Sequence, residues 1–224
     1  MNPTSCEEQC PAGVAEPLKT LLLAACDILS LLLLTLIPTL TVALDLRWLH
    51  NGVGEISITE LLQEGVLLAI VVGLYWKGRR LPEVRAFLWL LAGFFGCLLI
   101  RELDVFFDKI RHGFWLYPAL LLAMTTLLYS WRQGWQTLLH GAARFAQHRS
   151  ALFTLFGLLL VAVFSRMFGS GSLLWNEILG VQMAFEFKTP LQEGIELLGY
   201  IYVAYGILTQ GGYLRQEPPA SVHR

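Results

Sequence analysis

An all-α, polytopic bundle of about six membrane-spanning helices, with both termini cytoplasmic, is the fold class this sequence predicts. Three observations lead there. Hydrophobic residues make up 55% of the 224 positions against 15% charged, with a mean hydropathy of +0.57, far from the balance of a soluble domain. Apolar runs of about 20 residues recur along the whole chain, the length that crosses a ~30 Å hydrocarbon layer as a helix. Basic residues concentrate in two of the short loops between those runs.

The runs fall near 19–44, 57–76, 83–104, 114–131, 150–168 and 190–209. The first is too long for the core of a cleavable signal peptide and follows Glu7, Glu8 and Glu16 rather than a basic stretch, so it is expected to be a retained anchor. Pro38 is expected to kink it. The second opens on Ser57-Ile-Thr-Glu60, a capping-box pattern, and the third on Pro82, a residue suited to a first helical position. Trp48, Trp76, Trp115, Tyr117, Tyr129 and Trp131 stand near the ends of runs, as amphipathic rings at headgroup depth do. Residues 132–148 place Trp135, Leu138, Leu139 and Phe145 at helical spacing among polar residues, which predicts a short helix along the membrane surface, serving as anchor or as connector packing. Thr189-Pro190-Leu-Gln192 combines a cap, an N1 proline and a reciprocal glutamine, and so predicts a sixth helix starting there. Before it, Gly169-Ser-Gly-Ser172 and the apolar stretch 173–179 predict a flexible lead and a short amphipathic helix, a lid or a packing element.

The organisation expected is an N-terminal cytoplasmic tail over 1–17, one six-helix domain over 18–210 and a C-terminal cytoplasmic tail over 211–224. Lys77, Arg79, Arg80 and Arg85 lie in one loop, and Arg132, Arg144 and Arg149 in another; the positive-inside rule assigns both to the cytoplasm and brings the termini to the same side. Compactness and short loops suit a bacterial inner (plasma) membrane. A net charge of −1 gives no reason to expect a nucleic-acid partner; the lipid bilayer, and a lipid or small amphiphile, are the partners expected. Cys6 and Cys10 suit a reduced pair on a cytoplasmic tail rather than a metal site.

The same topology sends Asp45, Glu55, Glu60, Glu64, Glu102, Asp104, Asp108, Glu177, Glu186, Glu193 and Glu196 outward, eleven of the seventeen carboxylates. Several must lie within the membrane. Twelve residues separate Glu64 from Lys77 and thirteen separate Glu196 from Gln210, too few at ~1.5 Å per residue to fill the layer. Arg101 lies sixteen residues beyond Arg85, and Arg166 sixteen beyond Ser150, so both reach the same outer third.

An unpaired charge at that depth costs about 2.5–3.5 kcal/mol or more, so these groups should meet in a common site. Glu60, Glu64, Glu102, Asp104, Glu193 and Glu196 are the candidate metal ligands, and Arg101 and Arg166 the candidate binders of an anionic cofactor or substrate group. Six carboxylates against two arginines leave four negative charges in excess, which protons or a cation would balance. A divalent metal such as magnesium, calcium or manganese fits an oxygen-rich ligand set, and iron would fit if His112 joined it. Glu60 with Glu64, and Glu193 with Glu196, are spaced to share helix faces; Arg101, Asp104 and Asp108 share another, with Glu102 pointing elsewhere. Asp27, alone in the inner half of the first helix, is expected to be protonated or hydrogen-bonded across helices.

Three function classes follow. A membrane-embedded enzyme would use the carboxylates as acid, base or metal ligands on an amphiphile; serine-nucleophile, zinc-protease, phosphate-loop and paired-histidine haem motifs are absent from the sequence. A cation- or proton-coupled transporter needs polar residues continuing inward, which only Asp27 offers. A non-catalytic subunit or assembly factor would use the charges to lock helices together. An outward-facing pocket for a cation or cationic group is the reading to test, with enzyme activity ahead of transport.

Overall fold

The computed structural model describes residues 12–49, 57–148, 150–170 and 175–209, and of 12–16, 49 and 176–186 the backbone alone. Residues 1–11 and 210–224, Glu55 and the 171–174 part of the expected lead lie outside the described residues, as do the side chains of Glu177 and Glu186; residues 12–17 of the expected N-terminal tail belong to the first helix. Every regular element among the described residues is helical. The helices are α1 (Ala12–Leu44), α2 (Ile58–Arg80), α3 (Arg85–Glu102), α4 (Asp104–Asp108), α5 (Leu116–Arg132), α6 (Trp135–Ala146), α7 (Ser150–Leu159), α8 (Ser165–Gly169) and α9 (Asn176–Thr209). A π-turn, Asp45–Leu49, continues α1, and another, Leu160–Phe164, joins α7 to α8.

Among the described residues four helical stretches are long and apolar enough to cross a membrane: Pro17–Trp48, Ile58–Arg80, Pro82–Glu102 and Ser150–Gly169. The chain divides into two compact units, Met1–Ile37 and Pro38–Arg224, so the boundary falls at the proline expected to kink the first helix. In the first unit Leu21, Leu22, Leu32 and Leu33 are exposed, the surface an apolar helix presents to lipid.

In the second unit α9 packs on α7 and α2, α2 on α3, and α3 on α5. The core joins Leu67, Ile70 and Leu74 of α2, Leu88, Ala92 and Phe95 of α3, and Tyr200, Val203 and Ile207 of α9. The α2 stripe is regular: Thr59, Gln63, Leu67, Ile70, Leu74 and Gly78 are buried at steps of three and four residues. Small residues let α7 and α9 approach backbone to backbone. A Cβ on Gly199 would stand 2.7 Å from the Gly157 carbonyl oxygen, and one on Gly206 2.7 Å from that of Ser150. Close contact of this kind drives helix association where lipid removes the hydrophobic incentive.

Helix ends are secured as the sequence suggests and in one further way. Ser57 Oγ accepts the Glu60 N–H at 3.1 Å, the serine half of the expected capping box. The fully buried Asp45 adds a second cap. Its carboxylate accepts the Ile58 N–H at 2.8 Å, the Thr59 N–H at 2.9 Å and the Thr59 hydroxyl at 2.6 Å, placing a negative charge at the positive end of α2.

The helix expected over 132–148 forms as α6, and the connector packing considered for it is present. Gly141 and Phe145 turn inward, Phe145 against Phe87 with centroids 5.4 Å apart, while Trp135 and Leu139 are exposed. At the sixth run the expectation is corrected. α9 begins at Asn176 and carries Pro190 inside it, so Thr189-Pro190 does not start a helix. Proline forfeits one backbone bond, but the turns on both sides hold the helix through it.

Candidate functional site

The site is built where α3, α8 and α9 meet, with α2 closing one side. Arg101 and Glu102 end α3, and Leu103 leaves regular helical geometry (φ −82°, ψ 17°) before α4 restarts at Asp104. That break undoes the helical face expected to join Arg101, Asp104 and Asp108. Glu102, expected to point away, lies before the break and joins Arg101: its Oε1 accepts Arg101 Nη2 at 2.8 Å and the Tyr200 hydroxyl at 2.8 Å.

Tyr200 lies on the buried stripe of α9, one turn beyond Glu196, and both are almost wholly inaccessible. Glu196 Oε1 accepts the Ser165 hydroxyl at 3.0 Å and the Gln192 amide at 3.2 Å; its other oxygen lies 3.9 Å from Arg101 Nη2. Ser165 is held in turn by its bond to the Val161 carbonyl at 2.6 Å, just after the π-turn, a distortion that often accompanies functional positions. Glu193 sits one turn before Glu196. Gln63 of α2 donates to its backbone carbonyl at 2.9 Å and to its Oε2 at 3.0 Å. Glu193 and Glu196, three residues apart on α9, thus bring Gln63 of α2 into one cluster with Arg101 and Glu102.

Of the eight residues proposed from the sequence, the structure therefore joins Arg101, Glu102, Glu193 and Glu196. The other four stand apart. Glu60 and Glu64 are each one residue along from Thr59 and Gln63, about 100° around the helix from the face that meets α9. Glu64 makes no hydrogen bond or ion pair with a described residue, and the contact expected of it falls to Gln63. Arg166 is likewise one residue along from the buried Ser165, and its side chain is exposed. Asp104 follows the break in α3 and enters no ion pair or hydrogen bond among the described residues. Gln63, Ser165, Gln192 and Tyr200 are the members sequence reasoning missed. Neutral polar residues inside a span attract no charge argument, so the sequence carried no signal that would have picked them out.

Among the described residues no three Asp, Glu, His or Cys side chains converge as a metal-binding group. The six-carboxylate ligand set expected from the sequence is thus not formed: two of its members point off the α2 stripe, Asp104 is displaced by the helix break, and the remaining three are engaged by Arg101, Tyr200, Ser165, Gln192 and Gln63. His112 is occupied elsewhere, with Nδ1 2.7 Å from Asp108 Oδ2 in the loop after α4.

The arrangement that exists has Arg101 paired with Glu102 and Glu196, and Glu193 one turn before Glu196 on α9. With all groups ionised, three negative charges against one positive leave two in excess. Glu196 is closed in, with 2% of its side chain exposed, whereas Arg101 keeps 32%, so the network is sealed on the α8–α9 side and open at the end of α3. Comparisons with family models, with curated proteins and with solved structures found no match to this chain.

Proposed function

We propose that this chain is an integral membrane protein of six passes, with both termini in the cytoplasm of a bacterial inner membrane. In this reading the Arg101–Glu102–Glu193–Glu196 network is an outward-facing pocket for the cationic group of a small molecule or amphiphile. One observation carries it: Arg101 pairs with Glu102 and Glu196 while Glu193, three residues before Glu196 on α9, is met by the neutral Gln63, and low-dielectric surroundings penalise the two negative charges left over. An ammonium-type group entering beside Arg101 and Glu193 supplies the missing charge without a metal. α5 and α9 supply the remaining two passes; α9 misses the composition of an ordinary span because it carries this network. The basic loops between α2 and α3 and between α5 and α7 support the orientation. The same carboxylates can serve as acid and base, so turnover of a cationic amphiphile is the reaction class to assay first.

The test is equilibrium binding of a short-chain alkylammonium to purified protein in mild neutral detergent, read by thermal shift, for wild type and Glu193→Gln. Saturable stabilisation of the wild type that is at least tenfold weaker in the variant is the expected result. Equal responses from the two proteins, or none from either, would sink the proposal.

A second reading has its own observation. Glu196 receives two hydrogen bonds and faces Arg101 with no oxygen open to a ligand, as in a lock that holds α3, α8 and α9 in register. In that case Glu196→Gln and Glu193→Gln alter stability alone, and no ligand shifts either protein.

A further inference from the structure

Far along the chain from the charged network, α2, α3 and α5 enclose an apolar groove of about 360 Å³. Val72, Tyr75 and Trp76 form one wall, Trp89 and Gly93 the floor, and Leu122 the other wall. The groove is fixed rather than plastic. Tyr75 and Trp89 stack with centroids 5.3 Å apart, Trp89 packs on Tyr129 at 4.8 Å, and the Trp89 indole N–H donates to the Tyr75 carbonyl at 3.3 Å. That last bond satisfies the indole donor and leaves the wall apolar. The absence of a side chain at Gly93 keeps the floor low, since a Cβ there would meet the Thr126 side chain at 2.5 Å.

Three arginines rim the groove at the α2–α3 turn. Arg79 lies over Tyr75 at 5.9 Å, Arg80 over Trp76 at 5.6 Å and Arg85 over Trp89 at 5.6 Å, each one helical turn from its ring. Each guanidinium thus sits above an aromatic residue that lines the groove. None of the three pairs with a carboxylate among the described residues; the acid of the turn, Glu83, faces Arg144 at 4.0 Å instead.

We infer that this groove holds an acyl chain of an anionic phospholipid, with the lipid phosphate on the Arg79–Arg80–Arg85 rim. Charge complementarity selects the occupant. An apolar groove rimmed by three guanidinium groups that no carboxylate among the described residues pairs, Arg85 giving its Nε–H to the Gly78 carbonyl at 3.0 Å, matches an anionic headgroup joined to a hydrocarbon tail, and a zwitterionic lipid would bring its own cation against the same arginines. The inference does not depend on the cationic-group pocket, which lies at the opposite ends of α2 and α3.

Delipidated protein in neutral detergent would be titrated with dioleoyl phosphatidylglycerol or dioleoyl phosphatidylcholine, and bound lipid counted by native mass spectrometry. Wild type should retain phosphatidylglycerol in clear preference. The Arg79→Gln, Arg80→Gln double variant, at exposed positions on the end of α2, should bind it about thirtyfold more weakly, roughly fivefold per arginine lost. Val72→Trp, which fills the slot and leaves every arginine in place, should also abolish retention. Equal binding of the two lipids by wild type, or an unchanged preference in the arginine variant, would overturn the inference. Full retention by Val72→Trp would overturn it too, by showing that headgroup contact alone holds the lipid outside the groove.

Discussion

Replacing Tyr200 by phenylalanine removes one oxygen from the centre of the network and nothing else. The ring is fully buried, so no cavity opens and the packing of α9 on the core is kept. What disappears is the 2.8 Å hydrogen bond to Glu102 Oε1, leaving that oxygen to Arg101 alone. Hydrogen bonds to charged groups contribute about 1.5–3 kcal/mol, whereas interhelical bonds in membranes average ~0.6 with a maximum near ~1.7. A carboxylate acceptor 14% exposed, sharing its arginine with Glu196, belongs at the upper end of the membrane range. The expected loss is about 1.5 kcal/mol, close to a tenfold change in the unfolding equilibrium. Unfolding in mixed micelles with increasing dodecyl sulfate, followed by circular dichroism, would measure it, with the exposed Tyr117→Phe as a control within about 0.5 kcal/mol of wild type. In a double-mutant cycle with Glu102→Gln, Tyr200 and Glu102 should couple by about 0.5 kcal/mol or more. A Tyr200→Phe protein as stable as the control, with no coupling, would refute the view that this hydroxyl holds Glu102 in place.

Three further outcomes follow from the same structure. Gly199→Leu, whose Cβ would stand 2.7 Å from the Gly157 carbonyl, should destabilise the protein by about 1–3 kcal/mol in the same assay, because α7 and α9 must separate to admit it. Asp45→Ala should cost about 1–2 kcal/mol and speed hydrogen exchange at the Ile58 and Thr59 amides, which lose their acceptor. The Asp108 carboxyl is held below the usual carboxylate range, first by the Gly113 N–H at 2.8 Å and then by His112. A depressed folded-state value means that its contribution is present above the ordinary carboxylate pKa and is lost as pH falls through the lowered one. Protection of the Gly113 amide should therefore persist to mildly acidic pH and fall away below the normal carboxylate range; in Asp108→Asn that acid-dependent loss should disappear.

Periodicity and depth were legible in the sequence. The apolar runs near 57–76, 83–104, 114–131 and 150–168 coincide with α2, α3, α5 and the α7–α8 stretch to within a few residues, because spanning length and end punctuation are local properties. The short helix α6 was legible for the same reason. Counting residues from Arg85 and from Gln210 also put Arg101 and Glu196 at one expected level, since rise per residue converts position into depth, and the two side chains lie 3.9 Å apart.

What depth could not supply was angle. One residue is 100° on a helix, enough to exchange Glu64 for Gln63 and Arg166 for Ser165 at the contacts with α9. Which of two neighbours turns inward depends on where the next helix lies, and that was settled by the glycine contacts that seat α7 on α9 and by the stripe that seats α2. The break at Leu103, the hydrogen bond of Tyr200 to Glu102 and the passage of α9 through Pro190 are likewise tertiary outcomes. The sequence by itself determined that charge would be carried into apolar helices and at what level. Only the packing of those helices decided which side chains share it, because burial selects a face and a linear chain does not say which face is covered.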